Sequence, residues 1–100
     1  MDITQDKQKK IFEVVIDGVT AHLSYELVDG ALDVRHTIVP KEIGGRGIAS
    51  ALVKAAYDYA LENDYTPMAT CSYAVIWLKR HPEYKGKTSA DFGGEGTCAL

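Results

Sequence analysis

A glycine-rich segment, Gly44-Gly45-Arg46-Gly47, is the part of the sequence best suited to bind a ligand. It lies between a strand-like run and a segment of helical periodicity, so it leads into the first turn of a helix. That turn carries N–H groups without intrahelical acceptors and a partial positive charge. Glycine permits positive φ angles and lets a ligand approach these N–H groups closely. The segment therefore predicts a site for phosphate or diphosphate, to which Arg46 could add a side-chain contact.

The alternative is a tight turn that requires glycine for steric reasons only. Two common phosphate-binding patterns do not apply here. The Walker pattern requires Lys and then Ser or Thr after its last glycine, whereas Ile48 follows Gly47. The dinucleotide-binding pattern requires a parallel β-α-β unit, whereas this segment follows predicted antiparallel strands. The order of strand, glycine segment and apolar helix nevertheless favours the ligand interpretation.

Cys71 and His36 are the candidate reactive side chains. Cys71 lies between a predicted strand and a predicted helix, where the helix dipole could acidify a thiol and make it a nucleophile. A buried structural cysteine is the alternative. By period-two counting, His36 shares the apolar face of its strand with Leu32 and Val34. It is either a hydrogen-bonded core histidine or a general base tuned by burial.

Three strand-like runs must position the glycine segment. Apolar and polar residues alternate over 11–17, 19–27 and 31–39, which is typical of half-buried strands. Asp-Gly pairs, a strong hairpin signal, separate the runs at Asp17-Gly18 and Asp29-Gly30. The sequence therefore predicts an antiparallel meander, which ends at Pro40 because proline lacks a backbone donor.

The following part of the chain predicts a helix, a strand and a second helix. A broad apolar stripe favours a helix over 48–63, and a short apolar run favours a fourth strand over 66–71. Ser72 can cap a second helix over 73–80, which Pro82 ends. The fold class is thus α+β, a sandwich of sheet and helices in which the fourth strand joins the meander in parallel.

Length and composition limit the classes of function. One hundred residues suit one domain, and a net charge of -3 argues against a nucleic-acid binder. The two cysteines fit neither a metal-ligand spacing nor a dense disulfide framework, so no metal site is expected. Because neither a signal region nor a membrane span is evident, we expect a cytoplasmic protein without membrane partners. The predicted division is a flexible N-terminus (1–10), a folded domain (11–84) and a loosely ordered tail (85–100), partly docked through Phe92.

Four short motifs occur in one order along the chain. They are His36-Thr37-Ile38-Val39-Pro40, Gly45-Arg46-Gly47-Ile48-Ala49-Ser50-Ala51-Leu52-Val53, Cys71-Ser72-Tyr73 and Arg80-His81-Pro82-Glu83-Tyr84. This order resembles the shortest branch of the GNAT superfamily of N-acetyltransferases, and the resemblance covers about Phe12 to Tyr84. It implies a GNAT-like fold that binds acetyl-CoA in a cleft beside the fourth strand.

The resemblance also implies which residues hold the cofactor. In that superfamily the diphosphate lies on a loop of the form Arg/Gln-x-x-Gly-x-Gly/Ala, whose later positions fall on Gly47 and Ala49. The first position falls on Gly44, which lacks the usual side-chain donor. The implied cofactor-binding residues are Gly44, Gly45, Arg46, Gly47, Ile48 and Ala49. A backbone N–H of the fourth strand polarises the thioester carbonyl in this superfamily, and the corresponding residues here lie around 69–71.

The predicted catalytic residues are Cys71, which the resemblance places at this point as a transiently acetylated nucleophile or a lining thiol, and His36, which burial could tune as a general base. Tyr73, His81 and Tyr84 would line the acyl or substrate pocket, although core packing and a structural role for His81 are the alternatives. The expected activity is acetyl-CoA-dependent acetylation of an amine, either a small molecule or a protein lysine. A non-catalytic CoA-binding regulatory module and a small interaction domain are the competing hypotheses. The acceptor and the oligomeric state do not follow from the sequence.

Overall fold

The computed structural model describes residues 1–90 and residue 92, and its elements follow the alternation and periodicity of the sequence. In chain order they are β1 (Thr4–Asp6), β2 (Ile11–Ile16), β3 (Val19–Val28), β4 (Ala31–Ile38), α1 (Ile48–Glu62), β5 (Thr66–Ala69), α2 (Ser72–Arg80) and β6 (Lys87–Thr88). Short 3-10 turns occur at Lys41–Ile43 and Pro82–Tyr84. Within the described residues the strands form one six-stranded sheet in chain order, which confirms the predicted α+β fold class.

The central strands form the predicted antiparallel meander. Phe12 pairs with Leu23 and Val14 with Ala21, so these buried side chains share one face of the sheet. Both Asp-Gly turns have positive φ at their two central residues, the conformation of a type I′ hairpin turn. After α1, the chain returns so that β5 pairs with β4 in parallel, also as predicted.

Helix α1 buries its apolar stripe against this face of the sheet. The fully or almost fully buried residues are Ile48, Leu52, Val53, Ala56, Tyr57 and Ala60. The Tyr59 ring packs against Phe12 and Tyr25, at centroid distances of 6.0 and 6.5 Å. The Tyr57 hydroxyl donates to the Met68 carbonyl at 2.7 Å and so connects α1 to β5. In the described part of the chain, every helix is too short or too polar to cross a membrane.

Helix α2 packs beside α1 through Trp77. Its indole Nε1 donates to Ser50 Oγ at 3.0 Å, and its ring lies 5.8 Å from the Tyr57 ring. This contact joins the N-terminal half of α1 to the middle of α2. The two helices therefore hold the glycine segment and the end of β5 in a fixed relation.

Two short strands were not predicted. Residues 1–10, expected to be flexible, contain β1, which pairs with β2 and whose Gln5 side chain donates to the Tyr25 hydroxyl at 2.9 Å. Lys87–Thr88, within the expected loose tail, pairs with β5 in parallel as β6. Strands this short are too brief to show a period-two pattern. Phe92 packs against the core, as expected, whereas residues 91 and 93–100, including Cys98, lie outside the described residues.

A β-bulge in β4 overturns the predicted position of His36. Ser24 pairs with His36 and Tyr25 with Val34, so Arg35 is an extra residue in β4. One extra residue reverses the alternation of faces along the rest of the strand. Thr37 is consequently buried in the core and His36 is exposed, so the prediction that His36 lies on the apolar face is wrong.

Candidate functional site

The glycine segment begins with a tight turn after β4. The Ile43 side chain is buried and anchors the 3-10 turn, and the Gly44 N–H donates to the Lys41 carbonyl at 3.1 Å. Gly45 and Gly47 then adopt left-handed conformations, with φ of 76° and 75°. Gly47 is the N-cap residue of α1, and its carbonyl accepts from the Ala51 N–H at 3.1 Å. The structure therefore has the predicted glycine loop followed directly by the start of a helix.

After Gly44, the main-chain N–H groups that lead into α1 are unpaired within the part of the chain that the structure describes. Among the described residues, none of the N–H groups from Gly45 to Ser50 has a hydrogen-bond acceptor. The next N–H, that of Ala51, makes the first hydrogen bond of α1. Consecutive unpaired N–H groups at the positive end of a helix form an environment that favours an anion.

These residues line a cavity of about 360 Å³. Its lining residues are Val39, Lys41, Gly44, Gly45, Gly47, Ile48, Ala49, Ser50 and Tyr73. A Cβ added at Gly45 or Gly47 would meet no atom within 4 Å, so open space lies beside the backbone at both positions. All the residues predicted to hold a diphosphate line this cavity, with the exception of Arg46.

The Arg46 side chain is directed elsewhere. Its guanidinium nitrogen lies 2.8 Å from a carboxylate oxygen of Asp17, in the turn between β2 and β3. Both side chains are substantially exposed, at 49% and 71%, so the pair contributes little to stability. Because Arg46 pairs with Asp17, its side chain does not make the predicted contact at the cavity.

Lys41, Ser50 and Val39 are cavity residues that the sequence did not single out. Val39 follows β4 directly, and Ser50 lies in the first turn of α1, where its Oγ accepts the Trp77 hydrogen bond. Lys41 is exposed and begins the 3-10 turn after Pro40. A cation placed just before a glycine segment is the signal that could have identified it.

Strand β5 pairs with only the first half of β4. Their pairing ends at Val34 and Ala69, and the Val34 carbonyl then accepts from both the Thr70 and the Cys71 N–H at 3.0 Å. The N–H groups of Thr70 and Cys71 are thus not available to polarise a carbonyl, and the prediction that they do so is wrong. Since β1 precedes the meander, the fourth strand is β4, which leads directly into the glycine segment.

The two predicted catalytic side chains do not meet at the cavity. Cys71 is fully buried, and its sulfur lies 3.6 Å from Thr37 Oγ1. His36 is exposed on the other face of β4 from Thr37. Neither residue lines the cavity. Their catalytic roles stay predictions, without support from this geometry.

Of the three residues predicted to line an acyl pocket, only Tyr73 lines the cavity. His81 stacks on Trp77 at a centroid distance of 3.9 Å, and its Nδ1 donates to the Trp77 carbonyl at 2.8 Å. The Tyr84 hydroxyl donates to Asp58 at 2.7 Å. His81 and Tyr84 follow the C-terminal end of α2, whereas Tyr73 is at its start, so the three do not meet at this cavity and their roles in an acyl pocket stay predictions.

Tyr84 and Asp58 form the best-defined pair of titratable groups. Burial and the hydrogen bond to Asp58 raise the pKa of Tyr84 to about 12. Burial also raises the pKa of Asp58, but hydrogen bonds from Lys54 and Tyr84 outweigh it and leave that pKa below 3.8. Both shifts stabilise a neutral phenol donating to a carboxylate, which is a structural contact between α1 and the segment after α2.

Comparisons with known proteins agree with this fold. A family model described as GCN5-related N-acetyl-transferase matches residues 11–87. Protein NATD1 of Mus musculus is 39% identical over 83 residues, which cover 80% of this chain and 76% of that protein. Protein NATD1 of Homo sapiens is 37% identical over 83 residues, which cover 80% and 74% of the two chains.

A solved structure is also similar. The solution structure of a Staphylococcus aureus protein, described as a GCN5-like N-acetyltransferase candidate, superposes with a TM-score of 0.68 at 30% identity. The superposition covers 88% of this chain and 87% of that one. With the family model spanning most of the folded region, the chain belongs to the GCN5-related N-acetyltransferase family.

Proposed function

We propose that the chain binds acetyl-CoA in the cavity beside the glycine segment and transfers the acetyl group to an amine. The single observation that carries this proposal is the run of unpaired N–H groups from Gly45 to Ser50 at the start of α1. Backbone donors of this kind suit the diphosphate of the cofactor. Bound acetyl-CoA supplies an activated thioester, and the protein supplies the alignment.

The cavity fits this ligand in size and lining. Ligand cavities typically measure about 300 to 1,000 Å³, and the volume of about 360 Å³ suits part of CoA, with the remainder outside. Val39, Ile48 and Tyr73 provide apolar surface for the pantetheine arm. The open space beside Gly45 and Gly47 leaves room for phosphate oxygens close to the backbone.

The chemistry needs a donor for the developing oxyanion and an oriented acceptor. We assign the donor to a main-chain N–H of β4 beyond Val34, where β5 no longer pairs with β4 in the described residues. This assignment follows the family resemblance, in which the fourth strand polarises the thioester. Because the Cys71 sulfur is buried away from the cavity lining, we propose direct transfer to the amine.

A non-catalytic CoA-binding module is the second candidate function. The observation in its favour is that no Asp, Glu or His lines the cavity in the described part of the chain, so no general base is evident there. Gly44, in place of the usual Arg or Gln, also removes a side-chain donor. Such a module would bind CoA and acetyl-CoA without turnover.

A binding titration with CoA, acetyl-CoA and pyrophosphate tests the site, and release of CoA in the presence of an amine panel tests the activity. We expect saturable binding of all three ligands, with pyrophosphate the weakest, and amine-dependent CoA release. Binding without CoA release across small amines and lysine peptides would favour the module. Absence of CoA binding by the folded protein would contradict both functions.

Intact mass after incubation with acetyl-CoA under reducing conditions distinguishes direct transfer from a covalent route. Direct transfer predicts no stable acetyl adduct on Cys71. An acetyl adduct that disappears in Cys71→Ser, together with lost turnover, would instead assign the nucleophile to this cysteine.

A further inference from the structure

We propose that Lys41 supplies a cation for the cofactor diphosphate, in place of the side chain that Gly44 lacks. The inference rests on the proposed binding of CoA in the cavity and assigns a phosphate-binding side chain within it. The family pattern places Arg or Gln at the first position of the loop, and Gly44 occupies that position here. Gly44 has no side chain, so a side-chain contact at this end of the loop can come only from a neighbouring residue.

Lys41 lies directly beside the missing side chain. The Gly44 N–H donates to the Lys41 carbonyl at 3.1 Å, and a Cβ added at Gly44 would lie 3.5 Å from the Lys41 carbonyl oxygen and 3.9 Å from its Cα. Lys41 also lines the cavity together with Gly44 and Gly45. The Lys41 side chain thus leaves the backbone within contact distance of the point where the family's usual arginine or glutamine side chain would begin.

Arg46, the cation within the glycine segment, already forms an ion pair. Arg46 pairs with Asp17 at 2.8 Å and does not line the cavity. Among the described residues, by contrast, the Lys41 ammonium has neither an ion-pair nor a hydrogen-bond partner, and its neighbour Glu42 makes no salt bridge with it. Lys41 is therefore a cavity residue whose positive charge has no ion-pair partner in the described residues.

The chemistry of lysine suits this role. Its ammonium is a compact charge on a flexible stem of four carbons, which can reach a phosphate without the fixed fork of arginine. The unpaired N–H groups from Gly45 to Ser50 fix the position of the diphosphate, and Lys41 offsets part of its negative charge. The contact is solvent-exposed, so its contribution should decrease as salt increases.

Affinity measurements on Lys41→Ala test the inference with three ligands: CoA, 3′-dephospho-CoA and pantetheine. We expect affinity for CoA and for dephospho-CoA to fall by about tenfold each at low ionic strength, which corresponds to about 1.4 kcal/mol. Pantetheine, which has no phosphate, should bind both proteins equally. In about 1 M salt, where the Debye length is about 3 Å, the difference between the proteins should largely disappear.

The matched control is Lys9→Ala, which makes the same change in net charge in the turn between β1 and β2. It should bind CoA like the wild type. The double variant Gly44→Arg with Lys41→Ala should recover CoA affinity, because Gly44 has a φ of -67° that accepts any residue. Thermal melting of each variant verifies that the fold is unchanged.

The outcomes separate this inference from the proposed function. If the wild type binds no CoA, the proposed function fails. If the wild type binds and Lys41→Ala binds equally well, the role of Lys41 is wrong while the cavity assignment survives. A loss for CoA but not for dephospho-CoA would assign Lys41 to the 3′-phosphate and overturn the diphosphate contact.

Discussion

At the scale of single residues, the glycines of the loop differ in what they require. Gly44 has φ -67° and ψ 160°, an extended conformation, and a Cβ there would make only ordinary contacts. Gly47, with φ 75°, caps α1 in the left-handed region, where side chains are disfavoured. The backbone conformation at position 47 thus requires glycine, whereas position 44 could carry a side chain without strain.

We expect Gly47→Ala to lower the free energy of unfolding by about 1 to 2 kcal/mol, because alanine is strained in the left-handed conformation. Gly44→Ala should change it by less than about 0.5 kcal/mol. Urea unfolding at neutral pH measures both variants. Equal destabilisation by the two substitutions would contradict the conformational difference between these positions.

The role of a single residue could be predicted from the sequence where it depends only on local backbone conformation. The glycine segment could be recognised because positive φ and unpaired N–H groups are local properties of a loop before a helix. The ion pair between Arg46 and Asp17 could not be predicted, because the two residues are 29 positions apart along the chain. The same holds for Cys71, whose burial depends on contacts with β4.

At the scale of elements, the bulge at Arg35 explains why period-two counting failed in β4. The pattern up to Val34 is correct, and the extra residue then moves Thr37 into the core and His36 out of it. Nothing in the local sequence marks this bulge, because the following residues would also fit an uninterrupted strand. The helices were predicted well, since their apolar stripes extend over several turns.

A hydrogen bond from the Tyr57 phenol contributes to the contact between α1 and β5. In Tyr57→Phe the Met68 carbonyl loses its donor in a buried environment, so we expect a loss of about 1 to 3 kcal/mol in unfolding free energy. Tyr65→Phe is the control, because Tyr65 contacts Tyr59 through its ring and its hydroxyl has no partner in the described residues. Urea unfolding of both variants gives the comparison. A similar loss in the two proteins would mean that the hydrogen bond from Tyr57 to Met68 contributes nothing beyond the removal of a hydroxyl group.

At the scale of the whole molecule, the pair formed by Tyr84 and Asp58 makes stability depend on pH in both directions. The Tyr84 pKa of about 12 lies above the unfolded value of 10.0, so its stabilising effect is complete below pH 10 and is lost as the pH rises towards 12. The Asp58 pKa lies below 3.8, so its contribution is present above that pH and is lost on acidification.

We expect Tyr84→Phe to weaken the loss of stability between about pH 10 and 12, because the phenol that titrates differently in the two states is gone. It should also raise the pKa of Asp58, which loses a hydrogen-bond donor. Unfolding at a series of pH values and NMR titration of the Asp58 carboxyl measure the two effects. An unchanged alkaline slope, with Tyr65→Phe as the reference, would contradict the assignment.

Topology was the most predictable property of the whole chain, and the assembly of the site was the least. The meander, the crossover through α1 and the parallel β5 all follow from turn chemistry and periodicity, as the pairing of Leu32 with Pro67 shows. The cavity combines residues from the end of β4, the loop and the start of α2, so Val39 and Tyr73 meet only in the folded protein. His81 does not line this cavity, because it follows the other end of α2.

Ligand binding connects the site to the stability of the whole domain. A ligand that binds only the native state adds about 2.7 kcal/mol at a concentration 100 times its Kd. For a domain of this size, each kcal/mol raises Tm by about 4 to 8 °C, so CoA should raise Tm by about 10 to 20 °C under these conditions. Pyrophosphate at the same multiple of its own Kd should give a similar shift, because only fractional saturation enters the relation. If CoA and pyrophosphate together raised Tm by the full sum of their separate shifts, the two ligands would occupy different sites, and the unpaired N–H groups before α1 would then lose their proposed role.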